Sequence, residues 1–430
     1  MNEAAPVWRD KQQAARQVAH WTQAAFRLEK LDELAAPEAW KSMEQYLDTA
    51  VRTSLTATIQ RLRRHAIHLQ QQMAAAHSPE QVRGMQEALD RFRKRYLKVE
   101  STLDFFADAI NTRTNQDIAA LLRACDWMAN LSMATILEPM GKVAPPVLTY
   151  IDKGLGASIL KAGLRLWDRD TINPVAAIKV VRHNLLRPTS LIHESGHQVA
   201  HLLHWNGELA QILERRLARY GAELADTWAS WASEIAADTF AFVHTGYAAV
   251  ASLHDVLSGN SSWAFRYSPG DPHPINYLRV RLNAAMCRLC FGPGPWDGLE
   301  AGWNAAHPLN RAPHELRPFL ARSAEVLPEI AGLCLQHPMK AFQNRPLDSC
   351  LPPARVAPQA LLQLEQQAGT ALYTSPHWLR REALRLLALN GYQLAINPDR
   401  APELIAAQRQ WMLRLGRHAL EQSFPKTIKN

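Results

Sequence analysis

His193-Glu194-Ser195-Gly196-His197 constrains this 430-residue chain more than any other stretch. Two histidines four positions apart share a face when the backbone is helical, separated by about 40° of rotation and about 6 Å of rise. Both imidazoles can then reach one ion. Glu194 is turned by about 100° from His193 and faces a position beside the ion. The segment asks for a helix, a metal, and an opposing element that completes the ligand shell. Thr189-Ser190 supplies a start signal and Asn206-Gly207 a stop, so the motif helix is expected to run between them.

The pattern HExxH binds zinc and activates water. Zinc takes imidazole nitrogens at about 2.0–2.1 Å, and its catalytic sites commonly use three protein ligands with a fourth position left for water. Leu203 stands at +10 from His193 and Val199 at +6. A metzincin-type third histidine after a bending glycine is therefore excluded. His201 and His204 are expected to continue the motif helix. His201 lies about 80° from His193 and a turn beyond His197, which makes it a wall or supporting residue. Glu234-Ile235-Ala236-Ala237-Asp238 offers a better third ligand in Glu234, with Asp238 one turn later on the same face. A carboxylate ligand and a second carboxylate that holds a ligating imidazole form the usual inner and outer shells of a catalytic zinc site. Ala236 and Ala237 are small enough to let the two helices approach closely.

Further on stands Asp271-Pro272-His273-Pro274-Ile275-Asn276-Tyr277-Leu278-Arg279. Prolines around His273 fix the backbone at a helix start, and Arg279 falls about one and a half turns later. Either side chain, aimed at the metal, would stabilise a developing oxyanion. By spacing alone, the plainer reading is a proline-capped helix with a surface histidine.

The rest of the chain is expected to be mostly helical, being rich in Leu, Ala, Gln and Arg with only 19 glycines. Apolar residues at Trp40, Met43, Leu47, Val51, Leu55, Ile59, Leu62 and Leu69 keep a helical period through 37–76. Ser78-Pro79-Glu80-Gln81 carries a cap, a proline at the first helical position and a capping-box partner. A second helix to about Ile110 should fold back on the first. That hairpin sets Arg61, Arg63 and Arg64 beside Arg91, Arg93, Lys94, Arg95 and Lys98. A solvated face is the plain reading, and a patch for nucleic acid or an acidic protein is the functional one. A third helix is expected over about 115–137 and a boundary at 140–146. VLTYI and AAIKVV then suggest strands of a small sheet, whereas ASILKAGLRLW fits strand or helix. Helical patterns resume over 208–220 and 222–254, and again after Gly292-Pro293-Gly294-Pro295. The expected regions are 1–143, 144–292 and 293–430.

The first residues lack the apolar core of a secretory signal. The longest stretch near the motif without Asp, Glu, Lys or Arg, Thr239 to His254, falls short of the roughly 20 residues that a membrane span needs. Cys125, Cys287, Cys290, Cys334 and Cys350 make an odd number, as expected of free thiols in a reducing compartment. Cys287 and Cys290 form a lone CxxC, more readily a thiol pair than a redox or metal site. A soluble, cytoplasmic protein is the expectation. The net charge of +8 permits an anionic partner without demanding one.

HESGH, EIAAD and HPINYLR, in that order and spacing, resemble the gluzincin metallopeptidases. They are most similar to the HtpX-like and CAAX prenyl protease type, which carries HExxH, ExxxD and a later HPxxxxR. The resemblance covers about 170–290. It implies a mainly α fold: a zincin-like metallopeptidase core with a small β-sheet, flanked by helical N- and C-terminal regions. It also implies a zinc-dependent endopeptidase, with Zn2+ held by His193, His197 and Glu234, Glu194 as general base and Asp238 partnering a ligating histidine. His273 and Arg279 become transition-state or structural groups. Members of that type are usually anchored by transmembrane helices, which this chain does not show, so their substrates do not carry over. The expected partner is a protein or peptide substrate paired with an edge strand from 147–182. The helical regions would restrict access or recruit a regulatory protein. The alternatives are a zinc hydrolase acting on a non-peptide amide, and a helical binding or adaptor protein with a structural or inactive zinc site that uses the basic hairpin on nucleic acid. Glu194 argues against inactivity, because a structural site has no need of a base.

Overall fold

A computed structural model of the chain describes residues 4–47, 49–154, 156–165 and 172–419. It is mainly helical with one small sheet and divides into two compact units.

The described residues of the smaller unit fall within Met1–Ala119 and Leu160–Val175. Its helices are α1 (Ala4–Arg27), α2 (Pro37–Leu47), α3 (Ala50–Ala75) and α4 (Pro79–Asn111). The single helix expected over 37–76 is two, because Thr49 departs from helical geometry at φ −88° and ψ 11°. The periodic residues Val51, Leu55, Ile59, Leu62 and Leu69 form the buried stripe of α3. The capping box forms as expected. Ser78 Oγ accepts from the Gln81 backbone N–H at 3.2 Å, and Gln81 Oε1 accepts from that of Ser78 at 3.1 Å. Helices α3 and α4 pack together, and Arg95 meets His65 at 2.7 Å, so the basic runs do lie side by side. Acids interleave with them: Lys94 pairs with Asp90, Arg91 with Glu87 and Arg63 with Glu29.

The larger unit comprises Ala120–Ile159 and Ala176–Gln422. Helix α5 (Gln116–Leu137) precedes strands β1 (Val147–Ile151), β2 (Ser158–Leu160) and β3 (Ala176–Val180). The strand order is β1-β3-β2, with β1 and β3 parallel and Val147 opposite Ala176. The ambiguous ASILKAGLRLW segment thus holds a three-residue strand, and its last two residues lie outside the described ones. Buried Thr149 on β1 is anchored by Asp126, which accepts from its backbone N–H at 2.6 Å and its hydroxyl at 2.8 Å.

The motif helix α6 (Thr189–Leu202) ends earlier than expected. His204 adopts a left-handed conformation at φ 56°, and α7 (Trp205–Leu217) starts at once. Asn206-Gly207 therefore lies inside the next helix, and His204 does not extend the motif helix. Complete burial of Trp205 favours this reversal, which no glycine announces. The pattern over 222–254 resolves into α8 (Ala222–Ser230), α9 (Ala232–Thr245) and α10 (Tyr247–Leu257), broken at Trp231 and Gly246. Gly246 sits at φ 56°, and a Cβ there would stand 2.8 Å from the Val356 carbonyl oxygen, so only glycine fits.

Then follow α11 (Ser261–Ala264), α12 (Asn276–Phe291), α13 (Pro295–Ala306), α14 (Arg317–Leu335), α15 (Leu347–Cys350), α16 (Pro358–Ala368), α17 (Ala371–Thr374), α18 (Pro376–Ile396) and α19 (Ala401–His418). The core of this unit centres on fully buried Trp205, Trp228, Trp231, Trp296 and Trp411. Among the described residues, no helix is long and apolar enough to cross a membrane.

Candidate metal centre

The contact between α6 and α9 builds the site. A Cβ on Gly196 would stand 2.9 Å from both Ala237 Cα and Phe240 Cβ. The bare backbone at Gly196 therefore lets the helices pack closely, and Ala237 contributes the small side expected of it. That approach sets His193 and His197 of α6 opposite Glu234 of α9.

His193 Nε2 lies 3.4 Å from Glu234 Oε2, and His197 Nε2 lies 3.1 Å from Glu234 Oε1. Two ligand atoms about 2.0–2.1 Å from one tetrahedral ion stand about 3.3–3.4 Å apart, so the spacing matches a shared ion. One ligand atom from each of the three residues lies within 4.8 Å of the others. Among the described residues, this is the group of His, Cys, Asp and Glu that could hold a metal ion; Cys287, Cys290 and His201 are not part of it.

The outer shell is as specific as the inner one. Asp238 Oδ1 takes the Nδ1 side of His193 at 2.8 Å, with Nε2 turned toward Glu234. Arg279, on α12, donates to Asp238 from Nε at 2.7 Å and from Nη2 at 2.8 Å, and from Nη2 to Glu234 at 3.1 Å. Asn283, one turn beyond Arg279, donates to Asp238 at 3.4 Å. Ser233 Oγ stands 3.4 Å from His197 Nδ1 and receives Asn206 Nδ2 at 3.3 Å.

Burial alone would raise both carboxyl groups. The histidine hydrogen bonds and the Arg279 charge instead hold Glu234 well below the usual range, and Arg279 and His193 do the same for Asp238. Burial opposes a charged His193, but its hydrogen bonds to Asp238 and Glu234 push it up to about 10. Glu194, Glu234 and Asp238 gather around the Arg279 guanidinium and the charged His193 ring, so the carboxylates exceed the cations by one formal charge. The donor set of two imidazoles and one carboxylate suits zinc.

Glu194 is 7 % exposed and opens onto the same cleft as His193, a cavity of ≈ 800 Å³ that is open to solvent. Leu253, Val256 and Leu257 of α10 make an apolar side. Gly156 and Ala157, just before edge strand β2, make another.

His273 is on the cleft, its side chain 55 % exposed, with Nε2 3.7 Å from Glu234 Oε2. Asp271 holds its Nδ1 at 2.7 Å. The backbone N–H and ring of His273 in turn hold the Asp271 carboxyl below its ordinary value. Arg279 is different. Its side chain is 8 % exposed and paired with both Glu234 and Asp238. Tyr150, Ser233 and Asn283 were not anticipated. Burial, then the charges of Asp152 and Glu194, push the Tyr150 hydroxyl up to about 12. The helical spacing of Asn283 from Arg279 was a readable signal; nothing in the sequence pointed to Tyr150.

No protein-family model, curated protein or solved structure matches this chain.

Proposed function

We propose that the chain is a zinc-dependent endopeptidase of the gluzincin kind, with a zincin-like core and narrow specificity, acting in the cytoplasm. The observation that carries this reading is the convergence of His193, His197 and Glu234, with Asp238 behind His193 and Glu194 on the same cleft.

His193, His197 and Glu234 would hold the ion, and zinc bound there supplies Lewis-acid chemistry at the mouth of the cleft. Glu194 takes a proton from the attacking water and passes it to the departing amide nitrogen. With Nδ1–H held by Asp271, the doubly protonated ring of His273 would donate from Nε2 to the carbonyl oxygen as that oxygen gains charge. Arg279 and Asn283 keep Asp238, and through it His193, in place. An extended peptide would add to edge strand β2 beside Gly156 and Ala157. The apolar residues Leu253, Val256 and Leu257 would take a hydrophobic side chain.

The test compares the zinc-loaded protein with Glu194→Gln on a peptide library, with zinc content measured in both. The expected outcome is cleavage that falls by about 10²–10⁴-fold in the variant while zinc stays bound. Equal cleavage by the two proteins, or none by zinc-loaded wild type, would sink the proposal.

A further inference from the structure

A second cavity, of ≈ 700 Å³, opens in the larger unit beside the last turn of α9, the segment from Cys350 to Val356 and the middle of α18. Helix α18 leaves helical geometry at Glu382, φ −112° and ψ 15°, and Arg381, Glu382 and Arg385 all line the cavity. Arg355 reaches it from the facing segment.

Glu382 is the carboxylate among the described lining residues and is 5 % exposed. Arg385 Nη1 lies 3.3 Å from it, Arg381 Nε 3.5 Å and Arg355 Nη2 4.0 Å. Arg385, the nearest, is also tied to the carbonyls of Arg355 and Ala360. One guanidinium is enough to neutralise Glu382. The other two leave a formal surplus of two positive charges, on side chains 57 % and 70 % exposed. Each guanidinium carries five N–H donors in a planar fork suited to a carboxylate.

The second, independent observation is His244. It is 6 % exposed, lines the cavity, and has a buried Nε2 with no hydrogen-bond partner. The ring bonds to the Ser132 carbonyl, so Nδ1 carries the proton and Nε2 presents a lone pair. Burial and the charge of Arg355 keep the ring neutral. A buried acceptor left without a donor is unfavourable, and His244 lines the same cavity as Arg355 and Arg381.

We propose that this cavity binds a small carboxylate bearing a hydroxyl or amino donor beside its charge. Arg355 and Arg381 take the carboxylate, and His244 Nε2 accepts from the donor. The site is separate from the metal centre: Glu234 occupies the first turn of α9 and His244 the last, ten residues on, or about 15 Å along the helix.

The test is calorimetric titration of the zinc-loaded full chain with L-malate and with succinate, which lacks the hydroxyl. Malate is expected to bind about tenfold more tightly than succinate, the value of one well-placed hydrogen bond. The double variant Arg355→Gln/Arg381→Gln, altered only at exposed side chains, should weaken malate by at least about tenfold. His244→Phe should bring malate down to the level of succinate. Three results would overturn the proposal: no binding of malate, equal binding of the two acids, or malate binding unchanged in the double-arginine variant. The last would be seen if malate simply chelated the metal. The comparison of the two acids on wild type stands even if His244→Phe fails to fold.

Discussion

Asp238 meets the ring of His193 at 2.8 Å with one carboxylate oxygen, while the other receives Arg279 Nε at 2.7 Å. One buried carboxylate thereby fixes the His193 ring and a guanidinium that also braces Glu234. Asp238→Asn keeps the shape and removes the charge. Zinc affinity should fall by about 10–100-fold, the usual effect of losing a ligand-orienting partner. Arg279 keeps Glu234 as its partner, so loss of its charge-assisted bonds to Asp238 should cost the fold about 1.5–3 kcal/mol. Chelator competition and urea unfolding check the two parts separately. An unchanged zinc affinity would mean that Asp238 does not orient His193.

Much of this centre was legible in the sequence because ligand chemistry leaves fixed intervals on a helix. His193 to His197 and Glu234 to Asp238 are both single helical steps, and both pairs meet where their spacing placed them. What the sequence hid was set by tertiary packing. The end of α6 at Leu202 depends on a non-glycine residue, His204, in left-handed geometry next to a buried tryptophan. Local propensity does not signal such a turn. Gly246, which the helical reading of 222–254 ran straight through, separates α9 from α10 because of its positive φ. The strand content of 147–182 was readable at β1 and β3, where apolar runs are buried. It was ambiguous at β2, which is only three residues long.

Gly196 lies inside the motif but is no ligand, and its role is steric. Gly196→Ala would drive a methyl group to 2.9 Å from the Ala237 backbone, which cannot yield without parting α6 from α9. Overpacking of this kind costs about 1–3 kcal/mol. It should weaken zinc binding as well, since the same approach brings Glu234 to the histidines. Urea midpoints and zinc titration of Gly196→Ala test this. Full stability with native zinc affinity would show that the helices have room to spare.

His273 and its partner Asp271 stand beside the ligand shell without belonging to it. On the proposed reading, His273→Ala removes a donor to the developing oxyanion. Then kcat should fall by about 10²–10³-fold, with little change in KM or zinc content. Asp271→Asn should give a smaller loss in kcat by freeing the ring. Steady-state kinetics with metal analysis separates this from a ligand role, in which zinc content would fall together with kcat.

His244 gives the larger unit a pH signature of its own. Burial, reinforced by the charge of Arg355, pushes the ring down to about 3 from an ordinary value of 6.5. Arg381, Arg385, Glu382 and Cys350 share the cavity wall with it. Between those two values the unfolded chain binds a proton that the folded chain refuses. The stability is therefore fully present above pH 6.5 and is lost as pH falls toward 3. The slope from one such group is about 1.4 kcal/mol per pH unit. Urea unfolding of wild type and His244→Phe between those limits should give curves that differ by about that slope, with wild type losing more on acidification. The metal-centre residues titrate alike in both proteins and cancel in the difference. Parallel curves would show that His244 takes up its proton in the folded state.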